Sequence, residues 1–291
     1  VAGCSFDVGV FTNLGRDHLD FHGTVERYFA AKAALFTPAL CAIGVVNADD
    51  VHGRLLIDAA TIPIVPFSIE DVTDVVVTAT QHSYTWRGQH VTLGMGAHFN
   101  VMNSLAAATA AAALGLSAET VAAGLSSARA VPGRFEAVDA GQPFSVVVDY
   151  AHTPDGLREV LTTARQVADG ARVLVVFGCG GDRDREKRPE MGRVAAEYAD
   201  VVVVTSDNPR SEDPDEIVAS IVSGVPAHYR DAVVAVEVDR RRAIDTALRA
   251  ARPGDVVVIA GKGHETSQTI GATVVPFDDR AVARSLLENL T

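Results

Sequence analysis

The sequence predicts an α/β protein of two domains, the second a Rossmann-like unit on a mostly parallel sheet. Three observations carry that expectation. The chain has 291 residues, a length that suits about two domains with separate cores. It is 48% hydrophobic and rich in Ala, Val and Gly, as strands buried on both faces tend to be. After Val131-Pro132-Gly133, short apolar runs alternate with helical patterns, the signature of βαβ units.

In the first half, residues 8–12 read as a strand and 24–36 as a helix with Thr24 as N-cap. A strand at 41–46, a helix at 49–60 and an apolar run at 62–67 follow. Alternating runs at 74–80, 83–87 and 90–93, with Arg87-Gly88-Gln89 as a turn, predict a small antiparallel meander. Residues 100–114 form an Ala-rich helix and 117–127 another. Beyond the boundary, strands at 144–148, 172–177, 201–205 and 255–260 alternate with helices at 154–168, 189–198, 214–223 and 240–251. A helix at 281–290 closes the chain. The domain boundary is placed near residue 131, giving domains 1–131 and 132–291.

The net charge is −12 and the pI near 5.1, and neither half is basic, which argues against a nucleic-acid backbone as partner. Cys4, Cys41 and Cys179 make no CxxC spacing and no disulfide framework, so a reducing cytoplasm is the default. No apolar run is long enough to span a membrane. The chain opens at Val1 in what reads as mid-domain sequence, and a fragment of a longer protein is expected. The cluster Arg240-Arg241-Arg242 is expected to open a solvated helix face.

Three lysines stand against 22 arginines, 25 cations in all, and each lies in a motif-like cluster. They are Lys32 in Ala30-Ala31-Lys32, Lys187 in 182–189, and Lys262 in Gly261-Lys262-Gly263-His264-Glu265. A lysine retained where arginine is the default cation is a candidate for needing a primary amine.

Four strands of the second half end in loops dense with polar, Gly or Pro residues. They are 149–154, 178–184, 207–210 and 261–265. In a parallel sheet these ends share one edge, where open α/β folds bind ligands. Any single loop could be a plain connection, since Asp207-Asn208-Pro209 is also a turn initiator. Arg183 and Arg210 offer forks for carboxylate or phosphate, and Asp207 and Glu265 offer acceptors for ammonium. Together they suit a zwitterion. Gly178-Cys179-Gly180 has Arg183 where a dinucleotide fingerprint needs its third glycine, and no G-x-x-x-x-G-K-[ST] occurs.

On the predicted helix 24–36, Val25, Tyr28, Phe29, Lys32 and Phe36 share one face, so Lys32 is expected where the core should be. Burial would favour its neutral amine, which can take up carbon dioxide as a carbamate. The alternative is a snorkelling lysine at the helix edge. Upstream, Asn13 to Asp20 leaves a strand carrying Asp17, His18 and Asp20, residue types suited to metal or phosphate. His18 and His22 stand four apart, but no third zinc ligand follows at suitable spacing.

These clusters together resemble the Mur ligases, the ATP-dependent amino-acid-adding enzymes of peptidoglycan synthesis, over nearly the whole chain. Thr12-Asn13 with Asp17-His18-Leu19-Asp20 resembles the central-domain signature, and Ala30-Ala31-Lys32 the carbamylated-lysine site. Residues 45–50 also fit, as does Asn100-Val101-Met102-Asn103, where the family contacts adenine. The loops 149–154, 177–189 and 261–265 are similar to the E-type branch. Asp207-Asn208-Pro209-Arg210 is similar to its form for meso-diaminopimelate.

The resemblance implies that 1–131 is the remainder of a central ATPase-type α/β domain and 132–291 the C-terminal domain. It implies an acid–amino-acid ligase that adds meso-diaminopimelate to UDP-MurNAc-L-Ala-D-Glu through an acyl phosphate. ATP is the co-substrate, and Mg²⁺ is held by His18 and carbamylated Lys32, the catalytic pair. ATP is expected at Asn100, Asn103, Arg134 and Asp149. The amino acid is expected at Arg183, Asp207, Asn208, Pro209, Arg210, Gly261 and Glu265. Small-molecule substrates are the only partners implied. Without the UDP-binding domain, the phosphate loop and a glutamate metal ligand, the chain alone is expected to be inactive. Rival readings are a folylpolyglutamate- or cyanophycin-type ligase, against which the 207–210 loop speaks, and a non-catalytic amino-acid-binding module.

Overall fold

The computed structural model describes residues 3–15 and 19–290. The chain divides into two compact units, residues 1–77 with 81–129, and residues 130–291 with 78–80.

In the first unit, β1 (Phe6–Phe11), β2 (Cys41–Asn47) and β3 (Ile64–Phe67) form a parallel sheet in that order. The short α1 (Leu19–His22) and α2 (Val25–Ala33) connect β1 to β2. Thr24 caps α2, its hydroxyl accepting from the Arg27 amide. The helix α3 (Val51–Ala59) starts at Asp50, whose carboxylate accepts from the His52 and Gly53 amides. Such caps satisfy amides that the first helical turn leaves unpaired. A meander follows: β4 (Val72–Val77), β5 (His82–Trp86) and β6 (Gln89–Leu93), all antiparallel. Its first strand starts two residues before the expected run, directly after a capping box between Ser68 and Asp71. Along β5 the alternation is complete, with His82, Tyr84 and Trp86 buried. Tyr84 and Trp86 pack with Val101 and Leu105 of α4 (His98–Ala113) and Val121 of α5 (Ala118–Ser126).

The second unit holds a six-stranded sheet. Its strands are β7 (Glu136–Ala137), β8 (Ser145–Asp149), β9 (Val173–Phe177), β10 (Val201–Thr205), β11 (Val233–Glu237) and β12 (Val256–Ala260). The order is β11-β10-β9-β12-β8-β7, parallel except for β7 against β8. The intervening helices are α6 (Pro154–Ala168), α7 (Lys187–Tyr198), α8 (Pro214–Ser223), α9 (Arg240–Ala250) and α10 (Asp279–Leu287). Every residue of β9, β10 and β12 is buried, which is why these segments read as unbroken Val-rich runs. Their inward side chains pack with Ala243, Ile244, Ala247 and Leu248 of α9. Because β12 lies between β8 and β9, the strand order reverses there. In open α/β sheets the carboxyl ends of the strands beside such a reversal are where ligands bind.

Several elements were not anticipated, the short α1 and β7 among them. The strand β11 follows a 3₁₀ turn at Ala227–Ala232, and a hairpin forms from β13 (Ser267–Ile270) and β14 (Thr273–Pro276). One expectation is overturned. Arg240 does not open a solvated face: it is 1% exposed, while Arg241 and Arg242 are exposed. Asp239 caps α9, and the Arg240 side chain turns into the protein to pair with Asp279. Among the described residues, no helix is long and apolar enough to cross a membrane.

Candidate functional site: an amino-acid pocket at the sheet edge

The loops after β8, β9, β10 and β12 meet at the carboxyl edge and are bonded to one another. The Gly181 amide donates to Asn208 O at 2.8 Å, joining the β9 and β10 loops. The Gly261 amide donates to Asp149 O at 3.1 Å, joining those after β12 and β8. The Asn208 Nδ2 donates to Glu265 Oε2 at 2.8 Å, joining those after β10 and β12. These approaches need glycine. A Cβ on Gly178 would stand 2.3 Å from Thr205 O, and one on Gly181 would stand 1.9 Å from Pro209 O.

Arg183 and Arg210 come to one place. A Cβ on Gly180 would lie 2.9 Å from Arg210 Nη1, 3.8 Å from Arg183 Cγ and 3.9 Å from Asn208 O. The Arg210 Nη1 donates to Gly181 O at 2.6 Å, which aims the half-buried fork across the β9 loop. The Arg183 side chain is exposed, its Nη1 on Asp182 O at 3.0 Å. The Arg210 backbone has φ 52°, a left-handed conformation uncommon outside glycine. It is held there by the hairpin: the Arg210 amide donates to Thr269 O at 3.0 Å and Gly271 N to Arg210 O at 2.7 Å. Non-glycine residues held in that region concentrate at functional sites.

The acidic side of the pocket is buried. Asp207 is 6% exposed, Asn208 is buried and Pro209 is buried between the same loops. Burial pushes the Asp207 carboxyl above its usual range, against the pull of Arg240 and Lys262. Burial acts on Glu265 too, but the hydrogen bonds from Lys262 and Asn208 outweigh it and leave that carboxyl below its usual value. A Cβ on Gly261 would lie 3.0 Å from Asp207 Oδ2, and Gly261 has φ 114°. Glycine there keeps a side chain from crowding that oxygen.

Arg134 and Asp149 lie beside this pocket in the same unit. The Arg134 guanidinium stacks over the Tyr150 ring at 4.6 Å, and Tyr150 lies 5.1 Å from the His264 ring. The Asp149 Oδ2 accepts from the Phe135 amide and Oδ1 from the Ala151 amide, both at 2.7 Å. Burial nevertheless leaves the Asp149 carboxyl above its usual range. The segments carrying Arg134 and His264 touch backbone to backbone: a Cβ on Gly133 would stand 2.1 Å from Gly263 C.

In the first unit, Asn100 is 7% exposed and spent internally. Its Nδ2 donates to Gly96 O at 2.7 Å, and its Oδ1 accepts from Asn103 Nδ2 at 3.2 Å. Asn103 is exposed. The expectation of a core position for Lys32 is corrected. None of the residues of α2 is buried, and Lys32 is half-exposed at the helix edge. Its Nζ donates to Asn13 O at 3.0 Å and lies 4.9 Å from the Tyr28 ring centroid. The helix packs its aromatic side chains against only part of the sheet, so its apolar stripe does not become a sealed core. His18 and Asp17 lie outside the described residues.

Magnesium takes oxygen ligands, and an ammonium offers none. Among the described residues, no group of three His, Cys, Asp or Glu could hold a metal.

Several residues of this edge were missing from the expected set. Lys262 was flagged by lysine scarcity but given no role, and it is fully buried among Asp207, Asn208 and Glu265. Arg188 pairs with Glu212 through two bonds at 2.9 and 3.0 Å. Glu212 also accepts from the Asp182 amide at 2.6 Å, tying the β9 loop to residues after Arg210. Gln268 Nε2 supports Asp207 O at 2.6 Å from the hairpin. The hairpin had a signal, β-branched residues on both sides of Gly271-Ala272, whereas the Arg188–Glu212 pairing had none.

Residues 1–111 match the Mur ligase middle domain and residues 133–263 the Mur ligase glutamate ligase domain. The chain belongs to the Mur ligase family. It is 46% identical to a UDP-N-acetylmuramoyl-L-alanyl-D-glutamate–2,6-diaminopimelate ligase of Streptomyces avermitilis, covering 99% of this chain and 60% of the relative. The ligase of the same name from Gloeobacter violaceus is 50% identical, with the same two coverages. This chain therefore spans about three fifths of the length of these Mur ligase relatives. A solved structure of a 2,6-diaminopimelate ligase of this name is 36% identical with a TM-score of 0.62, covering 99% of this chain and 61% of that one. A Mycobacterium tuberculosis folylpolyglutamate synthase shares the fold, with a TM-score of 0.68 at 22% identity over 87% of this chain and 61% of that one.

Proposed function

We propose that this chain is the amino-acid-accepting part of an ATP-dependent ligase that adds meso-diaminopimelate to UDP-MurNAc-L-Ala-D-Glu in peptidoglycan synthesis, in the cytoplasm. The observation that carries this reading is the bipolar pocket. The Arg210 fork and the stem of Arg183 stand at Gly180, and the carboxylates of Asp207 and Glu265 are bridged by Asn208. Such a pocket matches one zwitterionic end of an amino acid and leaves an amine at the other end free to react.

In the proposed reaction the terminal phosphoryl group of ATP passes to the substrate carboxylate, giving ADP and an acyl phosphate. The free amine adds to the acyl carbon. The tetrahedral intermediate collapses with a new C–N bond, loss of phosphate with the C–O bonding pair, and release of the amine proton to water. Arg183, Asp207, Asn208, Pro209, Arg210, Gly261 and Glu265 position the amino acid. Asn103, supported by Asn100, is assigned to the adenine, and Arg134 and Asp149 to the rest of the nucleotide. His18 and Lys32 are assigned to magnesium, Lys32 as a carbamate whose oxygens its ammonium lacks. The half-exposed position of Lys32 leaves its amine reachable by dissolved carbon dioxide.

Calorimetry on the chain tests the reading. It should bind meso-diaminopimelate and bind L-lysine at least about tenfold more weakly, because lysine leaves the Arg210 fork without its carboxylate. Arg210→Ala should bring the two affinities together by weakening diaminopimelate alone. Equal wild-type affinities, or no binding of either, would refute it.

A further inference from the structure

Lys262 is 0% exposed, in a protein where lysine is scarce. A buried ammonium is tolerated only when its donors are matched, and here all three are. Nζ donates to Ser267 O at 2.7 Å, Glu265 Oε2 at 2.9 Å and Asn208 Oδ1 at 3.3 Å. Asp207 Oδ1 lies at 3.7 Å.

These bonds fix Asn208. Its Oδ1 accepts from Lys262 Nζ and from the Thr269 amide at 3.0 Å, so its Nδ2 must face the carboxylates. From there it donates to Asp207 Oδ1 at 3.0 Å and Glu265 Oε2 at 2.8 Å. Every donor and acceptor of that amide is used. The carboxylate atoms bound in this way are Asp207 Oδ1 and Glu265 Oε2, so Asp207 Oδ2 and Glu265 Oε1 stand outside the Asn208 bonds.

The charges lead to the same place. Asp207, Glu265 and Asp279 bring three carboxylates to this edge, and Lys262 and Arg240 bring two cations. Arg240 is spent on Asp279. Among these five groups there is one carboxylate more than there are cations. Arg210 acts on Glu265 from across the pocket, but its fork is directed at Gly181 O.

We propose that Lys262 is the positioning residue of the amino-acid pocket. Its ammonium cancels one of the two carboxylate charges and locks Asn208, leaving one negative charge, on Asp207 Oδ2 and Glu265 Oε1, to receive a single substrate ammonium. This deepens the functional reading above and rests on it. Arginine cannot replace Lys262, because a planar fork cannot direct three donors from one nitrogen.

Two measurements on the chain test the proposal, one without ligand. In the ligand-free protein, the Glu265 carboxyl followed by ¹³C NMR should titrate below its usual range in wild type and move upward in Lys262→Met. An unmoved Glu265 titration would overturn the proposal even if wild type binds. By calorimetry, Lys262→Met and Lys262→Arg should each bind meso-diaminopimelate about 30- to 100-fold more weakly than wild type. Wild-type affinity in Lys262→Arg would overturn it. If Lys262→Met fails to fold, Lys262→Met/Glu265→Gln removes one charge of each sign and should recover the fold while binding stays weak. Recovered binding in that double variant would make the lysine merely structural and overturn the proposal. Wild type that binds no diaminopimelate refutes the functional reading instead, and the ligand-free titration would still stand on its own.

Discussion

Removing either partner of the Arg240–Asp279 pair should be among the most damaging single changes in the second unit. Both side chains are 0% exposed. Arg240 donates to Asp279 Oδ1 at 2.8 Å and Oδ2 at 2.7 Å, the bidentate geometry that makes such pairs strong. Its other donors reach Ser206 O at 3.2 Å and Ala260 O at 2.9 Å. Those carbonyls immediately precede Asp207 and Gly261, so one guanidinium joins the roots of two pocket loops to the start of α10. Asp279→Ala leaves a buried guanidinium without its counter-charge, a loss of about 3–5 kcal/mol. Arg240→Met leaves a buried carboxylate and two carbonyls, a loss of similar size. Arg240→Met/Asp279→Leu removes both charges and should cost no more than either single change, which makes the coupling energy at least about 3 kcal/mol. Urea denaturation followed by far-UV circular dichroism, with the four proteins compared at one pH, gives all the terms. Additive losses, or singles that cost under about 1 kcal/mol, would show that water reaches the pair and that its burial has been misjudged.

Two further outcomes are expected. The Glu212 carboxyl is drawn from 4.5 to about 2, first by the Arg188 hydrogen bond and then by the Asp182 amide. A lowered carboxyl stabilises the fold above its unfolded value and loses that contribution as pH falls from about 4.5 toward about 2. The urea-midpoint gap between wild type and Glu212→Gln should therefore shrink across that window, and a constant gap would contradict the assignment. Cys179 is buried against Met191, and burial pushes its thiol up to about 12, whereas Cys4 is exposed. Iodoacetamide at pH 8 should modify Cys4 and spare Cys41 and Cys179 in the folded chain, with mass spectrometry locating the adduct.

What could be read in the sequence was what local chemistry determines. The Val-rich runs became fully buried strands, Thr24 capped its helix, and Pro154 and Pro214 opened theirs, because these signals act within a few residues. The polar ends of those strands assembled at one edge because parallel strands with helical crossovers leave no other arrangement. Tertiary facts were hidden. Arg240 looked like its two neighbours, and only Asp279, far along the chain, makes its burial tolerable. Lys32 followed the stripe rule, yet α2 covers too little of the sheet to seal it in. The β13–β14 hairpin was short enough to read as loop, although it supports Arg210 and Asp207 from behind.

The close approach of Gly133 to Gly263 has a mechanical consequence. With no side chain on either residue, the strand-entry segment bearing Arg134 and the turn bearing His264 are stacked like two bare wires under one clip. The Tyr150 ring lies under the Arg134 guanidinium and 5.1 Å from the His264 ring, which adds side-chain contacts to the joint. A side chain at either glycine would therefore push the segment bearing Arg134 away from the turn bearing His264.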